Sequence, residues 1–150
     1  MDKIVLKGRG LTHAVAEGEA LVSSESFGFS HGVEPTTGQI EDMRHELRGQ
    51  NLKGKVLVFP YCKGSSTNGL FILELVRCGN APAAVINIET EPSTGAGFIM
   101  GGIFYKKAIP IIDHLDQNPI HVIKNGDWVK VDANKGTVEV FRRDSGMQPV

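Results

Sequence analysis

Short apolar runs separated by glycine-bearing turns recur along the whole chain, the pattern of many short strands rather than a few long helices. Ile4-Val5-Leu6 and Ala14 to Val22 read as the two strands of a hairpin. Ser23 to Gln39 is rich in Ser, Gly and Thr, with Pro35-Thr-Thr-Gly38 as a turn, and reads as a long surface excursion. Loops of that length are uncommon unless they serve a function. Lys55-Val-Leu-Val-Phe59 is almost continuously apolar, as in a strand covered on both faces, and Ala83 to Ile88 and Ala108 to Ile112 are of the same kind. Between the first two, the spacing predicts a helix from about Thr67 to Cys78, with Leu70, Ile72, Leu73 and Val76 as its buried stripe and Gly79 as its stop. This is a βαβ unit. A second helix over Ala96 to Tyr105, before the strand at Ile109, extends it to βαβαβ. The last third carries strands at Val122-Ile123, Trp128 to Val131 and Thr137 to Phe141. The turns Asn125-Gly126-Asp127 and Asn134-Lys-Gly136 mark compact hairpins.

Strands at both ends around a βαβαβ centre predict a mixed α/β domain. Too few helices are available to cover a doubly wound sheet on both faces. With 150 residues the chain is long enough for one self-sufficient core, expected over about residues 3–142, with a frayed tail at 145–150. The formal net charge of −1 comes from mixed signs, so no nucleic-acid face is expected. No apolar run approaches the roughly 20 residues of a membrane helix. The beginning of the chain lacks the apolar core of a secretory signal, so Cys62 and Cys78 read as reduced, cytoplasmic thiols. Two cysteines are too few to hold an iron–sulfur cluster or a structural zinc, and the five histidines match no metal spacing. No metal is assigned to this chain; any such centre would be held mainly by another one.

The candidate chemistry gathers where the strand ending at Phe59 runs into the helix: Lys63, Gly64, Ser65, Ser66, Thr67, Asn68 and Gly69. Hydroxyls and the free N–H groups of a helix start presented together suit an anion or an activated serine. Helix capping is the commoner use of a serine here, yet capping needs one hydroxyl and this turn has three. Lys63 adds positive charge for an anionic substrate. The turn matches neither the phosphate-binding loop of nucleotide hydrolases nor a nucleophile elbow. His31, His45, Arg44 and Arg48 read as surface or capping residues, and Cys62 as the thiol better placed for chemistry, since a helix start lowers thiolate pKa. The run Gly95-Ala-Gly97-Phe-Ile-Met-Gly101-Gly102 admits close backbone approach to a ligand, or tight packing of a helix on the sheet.

An ordered set of motifs then carries a family resemblance: Gly8-Arg-Gly10, Ala16 to Val22, Gly32-Val-Glu-Pro-Thr-Thr-Gly38, Arg44-His-Glu-Leu47, Gly54 to Pro60, Lys63 to Thr67, Ala81-Pro-Ala-Ala84 and Lys107-Ala-Ile-Pro110. Together they resemble the small subunit, or swivel domain, of the aconitase X family, over roughly residues 8–140. The resemblance implies a swivelling β/β/α domain like that of aconitase, and a hydro-lyase built from two pieces. The iron–sulfur cluster, acting as Lewis acid on the leaving hydroxyl, would belong to a large partner subunit. Gly64-Ser65-Ser66 matches the turn that carries the family's serine base. Ser65 is thus implied as proton acceptor, with Lys63, Gly64, Ser66, Thr67 and Asn68 around the substrate. Known members act on mevalonate 5-phosphate or cis-3-hydroxy-L-proline. Gly69 stands where the phosphomevalonate enzymes carry a second serine, and Tyr61-Cys62 replaces glycines, so the small hydroxy-acid substrate stays open. A stand-alone anion-binding or regulatory module without catalysis is the alternative, and an assembly domain whose serines only cap a helix is a third.

Overall fold

The computed structural model describes residues 3–143. The tail expected at 145–150 lies outside the described residues. The strands are β1 (Lys3–Lys7), β2 (Arg9–Gly10), β3 (Val15–Val22), β4 (Val33–Glu34), β5 (Gln39–Ile40), β6 (Val56–Phe59), β7 (Ala84–Asn87), β8 (Ile111–Asp113), β9 (Trp128–Asp132) and β10 (Thr137–Phe141). The helices are α1 (Asn68–Arg77), α2 (Pro92–Tyr105) and α3 (Pro119–Val122). Eight strands form one mixed sheet in the order β1-β10-β9-β3-β6-β7-β8-β2, and β4 and β5 make a separate small hairpin.

The expected βαβαβ unit is present, since β6, β7 and β8 are parallel and are joined through α1 and α2. Their residues are buried throughout, which is why they read as unbroken apolar runs. The β9–β10 hairpin is also where its turn signals put it.

Four expectations are corrected. The segments from Ile4 and from Ala14 do not pair as a hairpin: β1 pairs with β10, whereas β3 lies between β9 and β6. The reason lies in Gly8-Arg9-Gly10, which carries the chain from one edge of the sheet to the other, where β2 pairs with β8. Gly8 N–H donates to Gly136 O at 2.8 Å, and a Cβ on Gly10 would lie 1.8 Å from Ala133 O. Only glycine permits that passage. Second, Ser23 to Gln39 is no mere surface excursion, because Phe27 and Phe29 are sunk in the core and meet edge to face with centroids 5.1 Å apart. Third, α1 buries Asn68, Ile72, Leu75 and Val76, while Leu70 is 66% exposed, so the stripe is rotated from the expected one. Fourth, Val122-Ile123 is the end of the short α3 and not a strand.

Two of the four glycines of α2, Gly97 and Gly101, pack against α1, while Gly95 and Gly102 lie against Thr90 and against Lys107–Ala108. A Cβ on Gly97 would come within 2.9 Å of Gly69 Cα, and one on Gly101 within 3.0 Å of Val76. Helix α2 therefore starts four residues before the expected Ala96, with Pro92 at its first turn and the Glu91 carboxylate accepting from Ser93 and Thr94 N–H. Arg9 fastens the edge strand β2 to its neighbour β8: it stands opposite Asp113 in the register, and its Nε and Nη2 each reach the buried Asp113 carboxylate at 2.9 Å. Burial would raise the Asp113 pKa, but the hydrogen bonds from Arg9 and from Thr90 N–H outweigh it and hold the carboxyl below its ordinary range.

Two predictions follow from these contacts. Gly10→Ala should lower the unfolding free energy in urea by about 3 kcal/mol. Gly64→Ala, with nothing within 4 Å of a built Cβ, should change it by less than about 0.5 kcal/mol. The depressed Asp113 pKa makes its contribution complete above the unfolded carboxylate's range near about pH 4, and lost as pH falls through the folded value. Asp113→Asn should therefore be less stable at neutral pH and lose less stability on acidification than the wild type.

Candidate functional site

Strand β6 ends at Phe59, and Pro60 prevents the ladder from continuing. The chain then runs beside the loop from β3, with Phe27 N–H donating to Tyr61 O at 3.0 Å and Lys63 N–H donating to Phe27 O at 2.8 Å. Gly64 to Thr67 turn outward before α1 begins, at the carboxyl end of the parallel strands where open α/β sheets bind ligands. An open cleft of about 540 Å³ lies over this turn. Ser30, His31, Asp42, Lys63, Gly64 and Ser65 are among its walls.

Asn68 holds the turn. Its side chain is fully buried, and its Oδ1 accepts from Phe29 N–H at 3.1 Å and Ser30 N–H at 2.9 Å. Its Nδ2 donates to Lys63 O at 2.8 Å and to Ser65 O at 3.4 Å. One carboxamide thus ties the Phe27–Ser30 loop to both sides of the serine turn. Asn68 is among the residues lining the cleft, and all four of its hydrogen-bonding positions are engaged inside the protein, which gives it a bracing role.

The hydroxyls divide by environment. Ser65 is half-buried; its Oγ accepts from Thr67 N–H at 3.2 Å and lies 3.0 Å from Thr67 Oγ1. Thr67 Oγ1 lies in turn 2.6 Å from Ser30 Oγ. Ser66 is exposed and its hydroxyl has no hydrogen bond among the described residues. None of the three is a conventional helix cap: Thr67 occupies the N-cap without a side-chain capping bond, and Gly69 N–H is taken instead by Ser93 Oγ of α2 at 3.1 Å. Capping alone thus does not account for the clustered hydroxyls. The N–H groups of Gly64, Ser65 and Ser66 have no acceptor among the described residues, which leaves three donors uncommitted just ahead of a helix start, two of them on residues that line the cleft.

Lys63 brings its charge to the cleft already paired, with Nζ 2.9 Å from Asp42 Oδ2. The Lys63 hydrogen bond, with the Arg44 N–H, holds the Asp42 carboxyl below its ordinary range.

Of the other candidates, His31 is exposed at the cleft rim, in a left-handed backbone conformation (φ 60°), with its ring 4.9 Å from that of Phe71. His45 is not a surface residue: it is buried, its Nδ1 accepts from Leu47 N–H at 3.0 Å, and Nε2 lies 3.1 Å from Ser23 Oγ. Accepting at Nδ1 places the ring proton on Nε2, facing Ser23. Arg44 and Arg48 are exposed, as expected. Cys62 is corrected: burial pushes its thiol up and outweighs the opposing hydrogen bond that Thr94 Oγ1 donates to its Sγ at 3.1 Å, so the thiol is not activated. Cys78 is the C-cap residue of α1, at the far end of the helix from Cys62. No three His, Cys, Asp or Glu side chains converge among the described residues. The donor set of the described residues does not fit an iron–sulfur cluster.

Three residues of the site carried no assigned role in the sequence reading: Ser30, Asp42 and Ser93. A signal for Ser30 was present in Phe27-Gly28-Phe29-Ser30, whose alternation puts the two rings on the core side and Gly28 and Ser30 on the other. Asp42 and Ser93 are brought in by tertiary packing and leave no local signature.

Comparison with known proteins converges on one family. A family model described as the aconitase X swivel domain matches residues 5–140. The chain is 43% identical over 135 residues to the phosphomevalonate dehydratase small subunit of Methanocella arvoryzae, covering 90% of this chain and 98% of that one. It is 39% identical over 142 residues to the phosphomevalonate dehydratase small subunit of Methanosarcina acetivorans, covering 95% and 94%. The crystal structure of Thermococcus kodakaraensis aconitase X in its holo-form matches with a TM-score of 0.84 at 37% identity, over 93% of this chain and 99% of that chain.

Asn68→Ala should cost about 3 kcal/mol in urea unfolding, because Phe29 and Ser30 N–H lose their acceptor in a buried place. Amide exchange should rise first at residues 28–31 and 64–67. Unchanged exchange there would contradict the bracing role.

Proposed function

The chain belongs to the aconitase X family, as its swivel domain and as a dehydratase subunit, and on that premise we propose that it supplies the base-bearing half of an active site completed by a large subunit. Ser65 is the proton acceptor and mevalonate 5-phosphate the substrate. The observation that carries this reading is the state of Ser65: its Oγ accepts a backbone N–H while the N–H groups of Gly64, Ser65 and Ser66 have no acceptor among the described residues.

The elimination from a 3-hydroxy carboxylate fits that arrangement. Ser65 as alkoxide takes a proton from C2; the C–H electron pair becomes the C2=C3 double bond as the hydroxyl leaves C3 with its bonding pair, and that hydroxide takes a proton from solvent in the open cleft to become water. Abstraction places negative charge on the substrate carboxylate, which the N–H groups of Gly64, Ser65 and Ser66 and the free Ser66 hydroxyl suit. The same donors and the start of α1 favour the ionised form of Ser65. Lys63 is kept at the cleft wall by Asp42, so an incoming anion competes with one carboxylate for it. Polarisation of the leaving hydroxyl falls to the large subunit, to which the family resemblance assigns an iron–sulfur cluster as Lewis acid.

The named relatives support mevalonate 5-phosphate over cis-3-hydroxy-L-proline. The missing second serine does not weigh against it, because Ser93 Oγ lies 3.3 Å from where a Cβ on Gly69 would stand and supplies a hydroxyl there from α2. Among the described residues no helix is long and apolar enough to cross a membrane. The unpaired Cys62 and Cys78 suit the cytoplasm as the working compartment.

The test is the complex with its large subunit, assayed on mevalonate 5-phosphate and on cis-3-hydroxy-L-proline. Turnover of the first and loss of at least about a thousandfold in Ser65→Ala, with fold and association unchanged, is the expected result. Anion binding by the chain with no turnover in the complex would favour the stand-alone binding module. Substantial activity in Ser65→Ala would remove Ser65 from the base role.

A further inference from the structure

We propose that Ser30 is a positioning residue for the base, its hydroxyl donating to Thr67 Oγ1 so that the Thr67 hydroxyl proton is fixed on Ser65 Oγ. The inference rests on Ser65 being the proton acceptor. Three hydroxyls stand in a row, with Ser30 Oγ to Thr67 Oγ1 at 2.6 Å and Thr67 Oγ1 to Ser65 Oγ at 3.0 Å. Each carries one proton and can accept two, so the row has three orders. Ser65 donates to Thr67 and Thr67 to Ser30; or Ser65 and Ser30 both donate to Thr67; or Ser30 donates to Thr67 and Thr67 to Ser65. Only the last keeps both bonds once Ser65 is an alkoxide, which has no proton to donate. Ser65 Oγ then accepts from the Thr67 hydroxyl as well as from Thr67 N–H at 3.2 Å, two donors in place before substrate arrives.

Ser30 is suited to set that order. Its N–H is anchored by Asn68 Oδ1 at 2.9 Å, and the neighbouring Phe29 is fully buried, so its backbone is fixed from two sides. Its hydroxyl contacts Thr67 alone among the described residues. The hydroxyl is therefore not needed to hold the loop, which the Asn68 carboxamide and Phe29 already do. Donation by Ser30 also polarises the Thr67 hydroxyl and strengthens its bond to Ser65. In the cycle the substrate C–H bond breaks, its proton forms the Ser65 O–H bond, and the electron pair enters the C=C bond. Ser65 later returns that proton to water in the open cleft, and the Ser30-to-Thr67 donation persists throughout.

The experiment compares wild type, Ser30→Ala, Ser30→Thr and Ser65→Ala as complexes with the large subunit on mevalonate 5-phosphate. Ser30→Ala should lower kcat about tenfold, the loss of one hydrogen bond serving a charged group, with KM within about twofold. The acid limb of the kcat profile should move to higher pH, since an alkoxide with weaker donors forms less readily, and Ser30→Thr should restore both. A purely structural role would leave that limb in place. In parallel, the Thr67 hydroxyl proton should give a slowly exchanging NMR resonance in the chain alone and lose it in Ser30→Ala. That arm tests the hydrogen-bond order whatever the substrate. Wild-type kcat and an unmoved limb in Ser30→Ala, with Ser65→Ala inactive, would overturn the role of Ser30 and leave the base standing. Activity in Ser65→Ala would overturn both. An unchanged Thr67 resonance in Ser30→Ala would overturn the proposed order by itself.

Discussion

A carboxamide with no exposure to water must satisfy two donors and two acceptors inside the protein, and Asn68 does so by drawing two otherwise separate segments onto itself. Phe29 and Ser30 N–H come from one side and Lys63 and Ser65 C=O from the other. Everything that gives the site its chemistry hangs on this constraint. It puts Ser30 within reach of Thr67, holds Ser65 where Thr67 N–H can donate to it, and leaves the N–H groups of Gly64 to Ser66 facing outward. An alanine here would leave buried donors without acceptors, which is why one fully engaged carboxamide sets the geometry of the hydroxyls around it.

The fold serves the same arrangement through glycine. Gly69 and Gly97 let α1 and α2 approach until Ser93 Oγ accepts Gly69 N–H, so α2 takes over the cap that the serine turn leaves undone. Releasing those hydroxyls from capping is what frees them for chemistry. Elsewhere in the molecule, Gly8 and Gly10 carry the chain from β1, beside β10, to β2, beside β8, and so bring the two edges of the sheet to adjacent places in the chain, with the Arg9–Asp113 pair fastening β2 to β8.

The parallel strands and their helices were legible because full burial leaves a direct mark, an unbroken apolar run. The serine turn was legible because hydroxyls, glycines and a helix start coincide. What stayed hidden arises from long-range pairing. Nothing local in Ile4-Val5-Leu6 says that its partner is Val138-Glu139-Val140. Leu70 looked buried by type and spacing, but its face of α1 points away from both the sheet and α2. His45 and Cys62 were misjudged for one reason: exposure and desolvation depend on the Ser23–Leu52 region folding down over the sheet, and composition rich in Ser and Gly hides the two phenylalanines that fasten it.

In the proposed function this chain is half of a reaction centre, the half that removes a proton from carbon while the departing hydroxyl is left to its partner. Hydrogen exchange at substrate C2 in D₂O isolates that half, because it reads C–H cleavage whether or not water is lost. The complex of wild-type chain and large subunit should wash deuterium into C2 of mevalonate 5-phosphate, and the Ser65→Ala complex, still binding substrate, should not. Deuterium incorporation at the wild-type rate in Ser65→Ala would contradict the assignment of the base.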